Sequence, residues 1–192
     1  MNIPVQRLSA SAREPYLAHL LALPDDDVRL RFGAPQSAAA ITEYVSRIDF
    51  DADVIFAVHG DALALAGAVH LAFGSDLAEL GVSVLPGARR RGIGAALVAR
   101  AAEYARNRDT PRLYMHCLAE NAAMIRIAQR AGMNVVIDAG DADAHLALPP
   151  STPMSHTSEM LANRVALFDY ALKTNVETWR RVGVAMTGKA NE

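Results

Sequence analysis

The sequence from Leu80 to Leu97, LGVSVLPGARRRGIGAAL, contains the elements of an anion-binding site in order along the chain. Alternating apolar residues predict a strand that ends at Val84. Pro86 and three arginines then precede Gly92-Ile93-Gly94, where a helical pattern begins. Glycines let the backbone approach an anion closely, and the free N–H groups and dipole of a helix N-terminus attract negative charge. Because guanidinium groups also pair well with phosphate oxygens, the stretch predicts a site for a phosphorylated cofactor.

Two common phosphate-binding motifs do not explain this stretch. A P-loop requires Gly-Lys followed by Ser or Thr, and the sequence contains no such tripeptide. A dinucleotide fingerprint requires a small residue where Leu97 stands, and its glycines directly follow a strand. In the alternative interpretation the arginines form a solvated turn and the glycines only start a helix. The combination of strand, proline, arginines and glycines favours the anion site.

The arrangement resembles motif A of the GNAT superfamily, the acetyl-CoA-dependent N-acyltransferases. The residues that match this motif are Val82, Val84, Pro86, Arg89, Gly92 and Gly94. A second match, ENAAMIRIAQRAGM at Glu120–Met133, resembles motif B, in which an asparagine opens a helix that ends in glycine and an apolar residue. The resemblance covers about residues 3–148. It implies transfer of an acetyl group from acetyl-CoA to a primary amine by direct attack on the thioester.

The resemblance also implies which residues bind the cofactor. The strand around Val82 and Val84 would contact the pantetheine arm, the backbone of residues 89–95 would hold the pyrophosphate, and Asn121 would contact the arm or a nearby phosphate. The expected cofactor-binding residues are Val82, Val84, Arg89, Arg90, Arg91, Gly92, Ile93, Gly94, Ala95 and Asn121.

Glu79 is the candidate catalytic base, because the family often places a carboxylate at the start of this strand. The alternative is an exposed glutamate at a strand end. Many members carry a tyrosine as general acid seven residues after the motif B asparagine, and here that position is Ala128. The missing acid leaves a second hypothesis open, that of a non-catalytic acyl-CoA-binding regulatory module.

Other residues with reactive side chains are interpreted as structural. Tyr114 and His116 alternate onto the same face of a predicted strand, where a core or surface role is favoured over catalysis. Cys117 faces the opposite way, without the adjacent base that a nucleophile needs, so we interpret it as a packing residue. The six histidines form no ligand-like spacing, and no metal site is expected.

Composition is typical of a compact protein with a sizeable core. The 192 residues are 52% hydrophobic and carry a formal net charge of −2, which argues against general nucleic-acid binding. The first residues lack the pattern of a signal peptide, and no apolar run reaches the roughly 18 residues of a membrane span. We therefore expect a cytoplasmic protein that binds neither nucleic acid nor membrane.

The order of predicted elements indicates an α/β (α+β) fold, with a mixed, mostly antiparallel central sheet flanked by helices on both faces, as in the GNAT family. The predicted strands are 4–9, 54–58, 62–71, 78–84, 112–118, 134–137 and 145–148. The predicted helices are 11–22, 37–47 with Ser37 as N-cap, 94–106 and 122–131, with a short helical turn after Pro24.

The acceptor, a small-molecule amine or a protein lysine or N-terminus, is left open. Asp25–Asp27 and the aspartates at 138, 141 and 143 would attract a cationic amine, although aspartate is also an ordinary residue of turns and helix starts. Arg29 and Arg31 would instead receive a carboxylate. Arg31-Phe32-Gly33, followed by the helix that holds Tyr44, resembles the protein-acetylating branch of the family.

The C-terminal part is predicted to be a separate unit. We expect an acetyltransferase domain at 1–148, a proline-rich linker at 149–154 and a helical extension at 155–192. Apolar residues at helical spacing form one stripe, hereafter the tail stripe: Leu161, Val165, Phe168, Leu172, Val176 and Trp179. This stripe either packs on its own domain or forms a homodimer, and the reach of the linker favours the dimer slightly.

Overall fold

Seven strands form one sheet in the computed structural model of the chain, which describes residues 3–60 and 63–188, with side chains as far as residue 175. The strands are β1 (Gln6–Arg7), β2 (Val54–His59), β3 (Leu65–Phe73), β4 (Ala78–Val84), β5 (Arg112–Leu118), β6 (Asn134–Asp138) and β7 (Asp141–Ala147). Their order is β1-β2-β3-β4-β5-β7-β6. All neighbours are antiparallel except β4 and β5, which confirms the predicted mixed, mostly antiparallel sheet.

Helices cover both faces of this sheet, as predicted. They are α1 (Arg13–Leu21), α2 (Asp25–Phe32), α3 (Ala38–Arg47), α4 (Ile93–Arg106), α5 (Ala122–Arg130) and α6 (Pro153–Gly188), with 3-10 turns at Ala10–Ala12 and Pro86–Ala88. One hydrophobic core joins α4 and α5 to the sheet, and a second core joins α1 and α3 to the opposite face. The predicted cap of α3 is confirmed, since Ser37 Oγ accepts the N–H of Ala40 at 3.1 Å.

Three elements differ from their predictions. β1 has two residues rather than six, and α2 is a helix of two turns rather than a single turn. β7 begins at Asp141, because it pairs with β5 along its whole length up to Leu118. Ala139 and Gly140 both have positive φ, as a tight two-residue hairpin turn requires. Two aspartates with low strand propensity, Asp141 and Asp143, hid the first half of this strand in the sequence. Asp61, which lies between the predicted strands 54–58 and 62–71, and residue 62 fall outside the described residues.

β4 and β5 are paired over a short distance only. Their parallel register includes Ala78 with Leu113 and Glu79 with Tyr114, and beyond these pairs the two strands part. Helix α2 packs on both strands and so bridges the gap. An ion pair between Arg29 of α2 and Glu120, just after β5, attaches the helix to the far side of the gap.

Helix α6 begins at Pro153, inside the range predicted as linker, because a capping box defines its start. Thr152 Oγ1 accepts the N–H of Ser155 at 3.1 Å, and Ser155 Oγ accepts the N–H of Thr152 at 3.0 Å. The helix contacts α4 through polar groups. Glu159 accepts a hydrogen bond from Asn107 Nδ2 at 2.7 Å, and Asn163 Oδ1 accepts one from Arg100 at 2.7 Å.

The tail stripe does not pack on its own domain where it is described. Leu161, Val165, Phe168 and Leu172 are 63%, 40%, 68% and 50% exposed. The side chains of Val176 and Trp179 lie outside the described residues. Within the part of the chain that the structure describes, none of the helices is both long enough and apolar enough to cross a membrane.

His19 of α1 connects that helix to the sheet and gives the fold a pH dependence. Its ring is buried, with Nδ1 2.9 Å from Leu65 O and Nε2 2.8 Å from Ser83 Oγ. Nδ1–H donates to the carbonyl and Nε2 accepts from the hydroxyl, so the neutral ring satisfies both contacts. Burial lowers the pKa of His19 below its ordinary value of 6.5.

We therefore expect the free energy of unfolding to fall as the pH drops below about 6.5, where the unfolded chain binds a proton that the folded ring does not. Thermal unfolding at pH 7.5 and 5.5 measures this loss. His19→Gln keeps a donor and an acceptor but does not titrate, so its loss on acidification should be smaller. Burial also lowers the pKa of His59 and His70, so the His19→Gln variant should still lose part of its free energy of unfolding on acidification. Equal losses in wild type and variant would contradict the assignment.

Candidate active site

Two neighbouring cavities open where β4 and β5 part. The α4 cavity, of about 400 Å³, lies between the N-terminus of α4, the second half of β4 and the start of α5. The Glu79 cavity, of about 340 Å³, lies between α2, α3 and the strands β3, β4 and β5. The residues that line both cavities are Leu30, Arg31, Val82 and Met124. A molecule bound in one cavity can therefore reach a molecule bound in the other.

The chain turns sharply into α4 and leaves the first N–H groups of this helix free. Arg90 and Gly92 have left-handed backbone conformations, with φ of 61° and 82°. The first backbone hydrogen bond of the helix runs from Ala96 N–H to Gly92 O at 3.0 Å. The N–H groups of residues 93–95 precede that bond, and all three residues line the α4 cavity. This helix end is a ready site for an anion.

Gly94 allows α4 to approach α5 closely. A Cβ atom at this position would lie 2.8 Å from Cδ1 of Ile127, which is less than a normal contact distance. Larger side chains at position 94 would occupy the α4 cavity, since Gly94 lines it.

The backbone of β4 offers hydrogen-bonding groups to the gap. Leu85 N–H donates to Ala66 O of β3 at 2.9 Å. Because backbone groups alternate along a strand, Val84 and Val82 direct their N–H and C=O groups away from β3 and into the gap. Consistent with this direction, Arg89 Nε donates to Val84 O at 3.1 Å.

The three arginines have different surroundings. The Arg89 side chain forms an ion pair with Asp27 of α2, and Arg90 is exposed and lines the α4 cavity. Arg91 is exposed and lies outside the wall of that cavity. Two further arginines of α5, Arg126 and Arg130, line the cavity and were missed in the sequence. Their spacing of four residues on the motif B helix was the available signal.

Asn121 lines the α4 cavity and also caps α5. Its Oδ1 accepts the N–H of Met124 at 3.2 Å, and its side chain is buried. The amide NH₂ group remains to donate toward the cavity.

Glu79 lies on β4 in the wall of the Glu79 cavity, and its side chain is exposed. It is close enough to His70 and Tyr114 for electrostatic interaction with both. The cavity therefore presents a solvated carboxylate beside the junction with the α4 cavity.

A chain of polar side chains starts at Arg31, which the sequence indicated as a carboxylate-binding candidate. It continues along the same cavity through Tyr44 and His70 to Asp53, which lies outside the cavity wall. Arg31 Nη2 donates to Tyr44 Oη at 3.2 Å, Tyr44 Oη lies 2.5 Å from His70 Nδ1, and His70 Nε2 lies 3.1 Å from Asp53 Oδ2. Burial lowers the pKa of His70, and the Asp53 carboxylate opposes that shift. The neutral ring accepts the Tyr44 proton at Nδ1 and donates from Nε2 to Asp53. These residues come from α2, α3, the position before β2, and β3, so no local pattern reveals that they meet.

Of the residues interpreted as structural, His116 and Cys117 line the Glu79 cavity, whereas Tyr114 pairs with Asp143 of the neighbouring strand. Tyr114 donates to Asp143 Oδ1 at 2.6 Å, which together with burial raises the pKa of Tyr114 to about 12. Burial, followed by the charges of Asp143 and Asp141, raises the pKa of Cys117, which disfavours a thiolate. Ala128 is fully buried in the core.

The fold and both motifs agree with one family. The sequence model of the acetyltransferase (GNAT) family matches residues 21–133, more than half of the chain. The chain belongs to the GNAT family. The matched range includes the motif A and motif B residues as well as α2 and α3. The resemblance stated from the sequence is thus confirmed, and the protein is an acyltransferase.

Solved structures of GNAT proteins share the fold. The GNAT domain of S. lividans PAT superimposes with a TM-score of 0.65 at 21% identity, over 77% of this chain and 95% of that chain. Spermidine N-acetyltransferase from Vibrio cholerae, solved with CoA and spermine, superimposes with a TM-score of 0.60 at 18% identity, over 77% of this chain and 96% of that chain. Ribosomal-protein-alanine N-acetyltransferase from Brucella melitensis superimposes with a TM-score of 0.58 at 21% identity, over 75% of this chain and 99% of that chain. No curated protein matches the chain.

Proposed function

We propose that this GNAT enzyme transfers an acetyl group from acetyl-CoA to a primary amine, by direct attack of the amine on the thioester. The observation that carries the proposal is the junction of the two cavities at the parted strands. The α4 cavity offers N–H donors suited to a pyrophosphate, and the Glu79 cavity offers a carboxylate suited to accept a proton.

The groups around the α4 cavity fit coenzyme A. The N–H groups of residues 93–95 would bind the pyrophosphate, and Arg90, Arg126 and Arg130 would supply positive charge for the other phosphate. The backbone of Val82 and Val84 would hold the pantetheine arm along the free edge of β4. The amide of Asn121 would donate to that arm. Arg89 and Arg91 have weaker support as direct ligands, since the first pairs with Asp27 and the second lies outside the cavity wall.

Glu79 would act as the base. It would take the proton from the amine, directly or through water, as the nitrogen bonds to the thioester carbon and the C–S bond breaks. A backbone N–H near Val84 would stabilise the negative charge that develops on the carbonyl oxygen. Water would return a proton to the CoA thiolate, because Ala128 replaces the usual tyrosine and Tyr114 is a weak acid near neutral pH.

The second candidate is a regulatory module that binds acyl-CoA without efficient catalysis. The buried Ala128 at the position of the general acid favours this candidate. Steady release of free CoA with an amine favours the enzyme, and binding without release favours the module.

We expect saturating acetyl-CoA to raise the unfolding temperature, since a ligand at 100 times its Kd stabilises a fold by about 2.7 kcal/mol. Gly94→Trp should abolish the shift, because the indole would fill the α4 cavity. Gly87→Trp is a matched control, since a side chain at Gly87 meets no atom within 4 Å. A folded wild-type sample without a shift would exclude both candidate functions.

We expect Glu79→Gln to lower kcat/KM by about 10²–10⁴-fold, the usual contribution of a positioned base. The acetyl-CoA shift should be unchanged. CoA release assayed from pH 6 to 9 measures the effect, and Glu43→Gln on the exposed face of α3 is the control. A Glu79→Gln enzyme with the wild-type rate across this range would remove Glu79 from the mechanism.

The tail stripe supports a homodimer. We propose residues 1–148 as the catalytic domain, 149–152 as a linker, and the extension from Pro153 onward, where α6 begins, as the part that pairs with a second copy. Large exposed apolar side chains on one helix face are typical of an interaction surface, and polar residues already attach the other face to α4.

We expect the wild-type protein to sediment as a dimer, and Phe168→Glu to shift it toward the monomer because a charge would lie in the buried interface. Thr157→Glu, at an exposed position of the same helix, should leave the dimer intact. Analytical ultracentrifugation distinguishes the two species. A wild-type monomer at high protein concentration would refute the dimer.

A further inference from the structure

Arg31 occupies the junction of the two cavities. It lies in the last turn of α2, and its guanidinium lies over Gly81 of β4, in the space that a Cβ atom at that position would take. The guanidinium carbon is 4.9 Å from the ring centre of Phe32 and 5.9 Å from that of Tyr44. Only glycine at position 81 leaves room for this arrangement.

The charge of Arg31 has no counter-charge among the described residues. Its guanidinium donates to the neutral hydroxyl of Tyr44 at 3.2 Å and also interacts with the neutral side chain of Tyr16, and its Nε atom is buried without a hydrogen-bond partner. Two neighbouring arginines, by contrast, have carboxylate partners: Arg29 pairs with Glu120, and Arg89 pairs with Asp27. Because a buried charge without a partner is costly, the guanidinium is suited to an anionic ligand.

The position of Arg31 favours an anion on the acceptor rather than on the cofactor. Gly81 lies three residues before Val84, or about 10 Å along the strand, and the N–H groups suited to a pyrophosphate lie beyond that end. Glu79 lies two residues the other way on the same strand face, at about 7 Å. Arg31 is also the only arginine or lysine in the described wall of the Glu79 cavity.

We infer that the acceptor is a small amino carboxylate, such as a free amino acid, whose carboxylate binds Arg31 while its amine faces Glu79. This inference rests on the proposed function. A planar guanidinium can pair with a carboxylate through two parallel hydrogen bonds, which fixes the orientation of the amine as well. Phosphate would bind the same group, but a carboxylate fits the short spacing between Arg31 and Glu79.

The polar chain behind Arg31 positions its guanidinium. Tyr44 Oη accepts a hydrogen bond from Arg31 and donates one to His70 Nδ1. The Nε2–H of His70 then donates to Asp53. The acceptor on each residue therefore fixes which way the preceding hydrogen bond runs. Tyr44 and His70 act as positioning residues for the anion site.

The test compares matched acceptors: an amino acid, its carboxamide and the amine without the carboxylate. Rates are expressed per unprotonated amine, because the amine pKa differs among the three. We expect wild type to prefer the amino acid by at least about tenfold in kcat/KM, mainly through KM. Arg31→Met should remove the preference, and Arg31→Lys should keep part of it. Arg47→Met, at an exposed position of α3 that lines neither cavity, should keep it fully.

The outcomes that overturn the inference are distinct from a failure of the proposed function. Equal rates with the amino acid and its carboxamide, or a preference for peptides with an internal lysine, would overturn it without affecting acetyl transfer. Loss of the acetyl-CoA thermal shift in folded Arg31→Met would assign Arg31 to the cofactor instead. If no amine is acetylated, thermal unfolding with the amino acid alone tests the anion site. Stabilisation of wild type but not of Arg31→Met supports the site, and no stabilisation of wild type refutes it.

Discussion

The separation of β4 from β5 beyond Glu79 and Tyr114 is the constraint on which the site depends. Unpaired strand edges inside a protein are costly unless their N–H and C=O groups find other partners. Here the free edge of β4 faces two cavities, and Arg89 already satisfies the carbonyl of Val84. A continuous β4–β5 ladder would close the gap and remove both the edge and the junction between the cavities.

Helix α2 holds the gap open by contacts to both sides. Asp27 in its first turn pairs with Arg89 after β4, and Arg29 pairs with Glu120 after β5. Exposed ion pairs of this kind are screened by salt and add little stability, so their effect is mainly to orient the helix. That orientation directs Arg31 inward over Gly81, which is why one short helix contributes to both cavities.

Local patterns predicted most of the fold, and most of the residues that they suggested for cofactor binding line the α4 cavity. The bounds of β4 and β5 agree with the sequence because each strand alternates regularly between defined turns, and Gly92-Ile93-Gly94 marks the start of α4. On the acceptor side the sequence indicated Arg31 as a carboxylate-binding candidate but not its contacts, because Arg31, Tyr44, His70 and Asp53 meet only after four separate parts of the chain have packed. Helical periodicity likewise revealed the tail stripe without showing which face of α6 meets α4.

The face of α6 that meets α4 is polar, although apolar faces are the ones that usually pack against a domain. This exception has a physical reason. Glu159 is buried between Asn107 and Arg108 and lies close to Arg100. Because its carboxylate is paired and hydrogen-bonded there, its burial is tolerated. The opposite face then leaves Phe168 and its apolar neighbours without cover. Arg31 is the converse case, a half-buried charge without a counter-charge among the described residues. Folded chains break such rules mainly where other molecules bind, which is the reason for proposing a partner surface at the tail stripe and an anion site at Arg31.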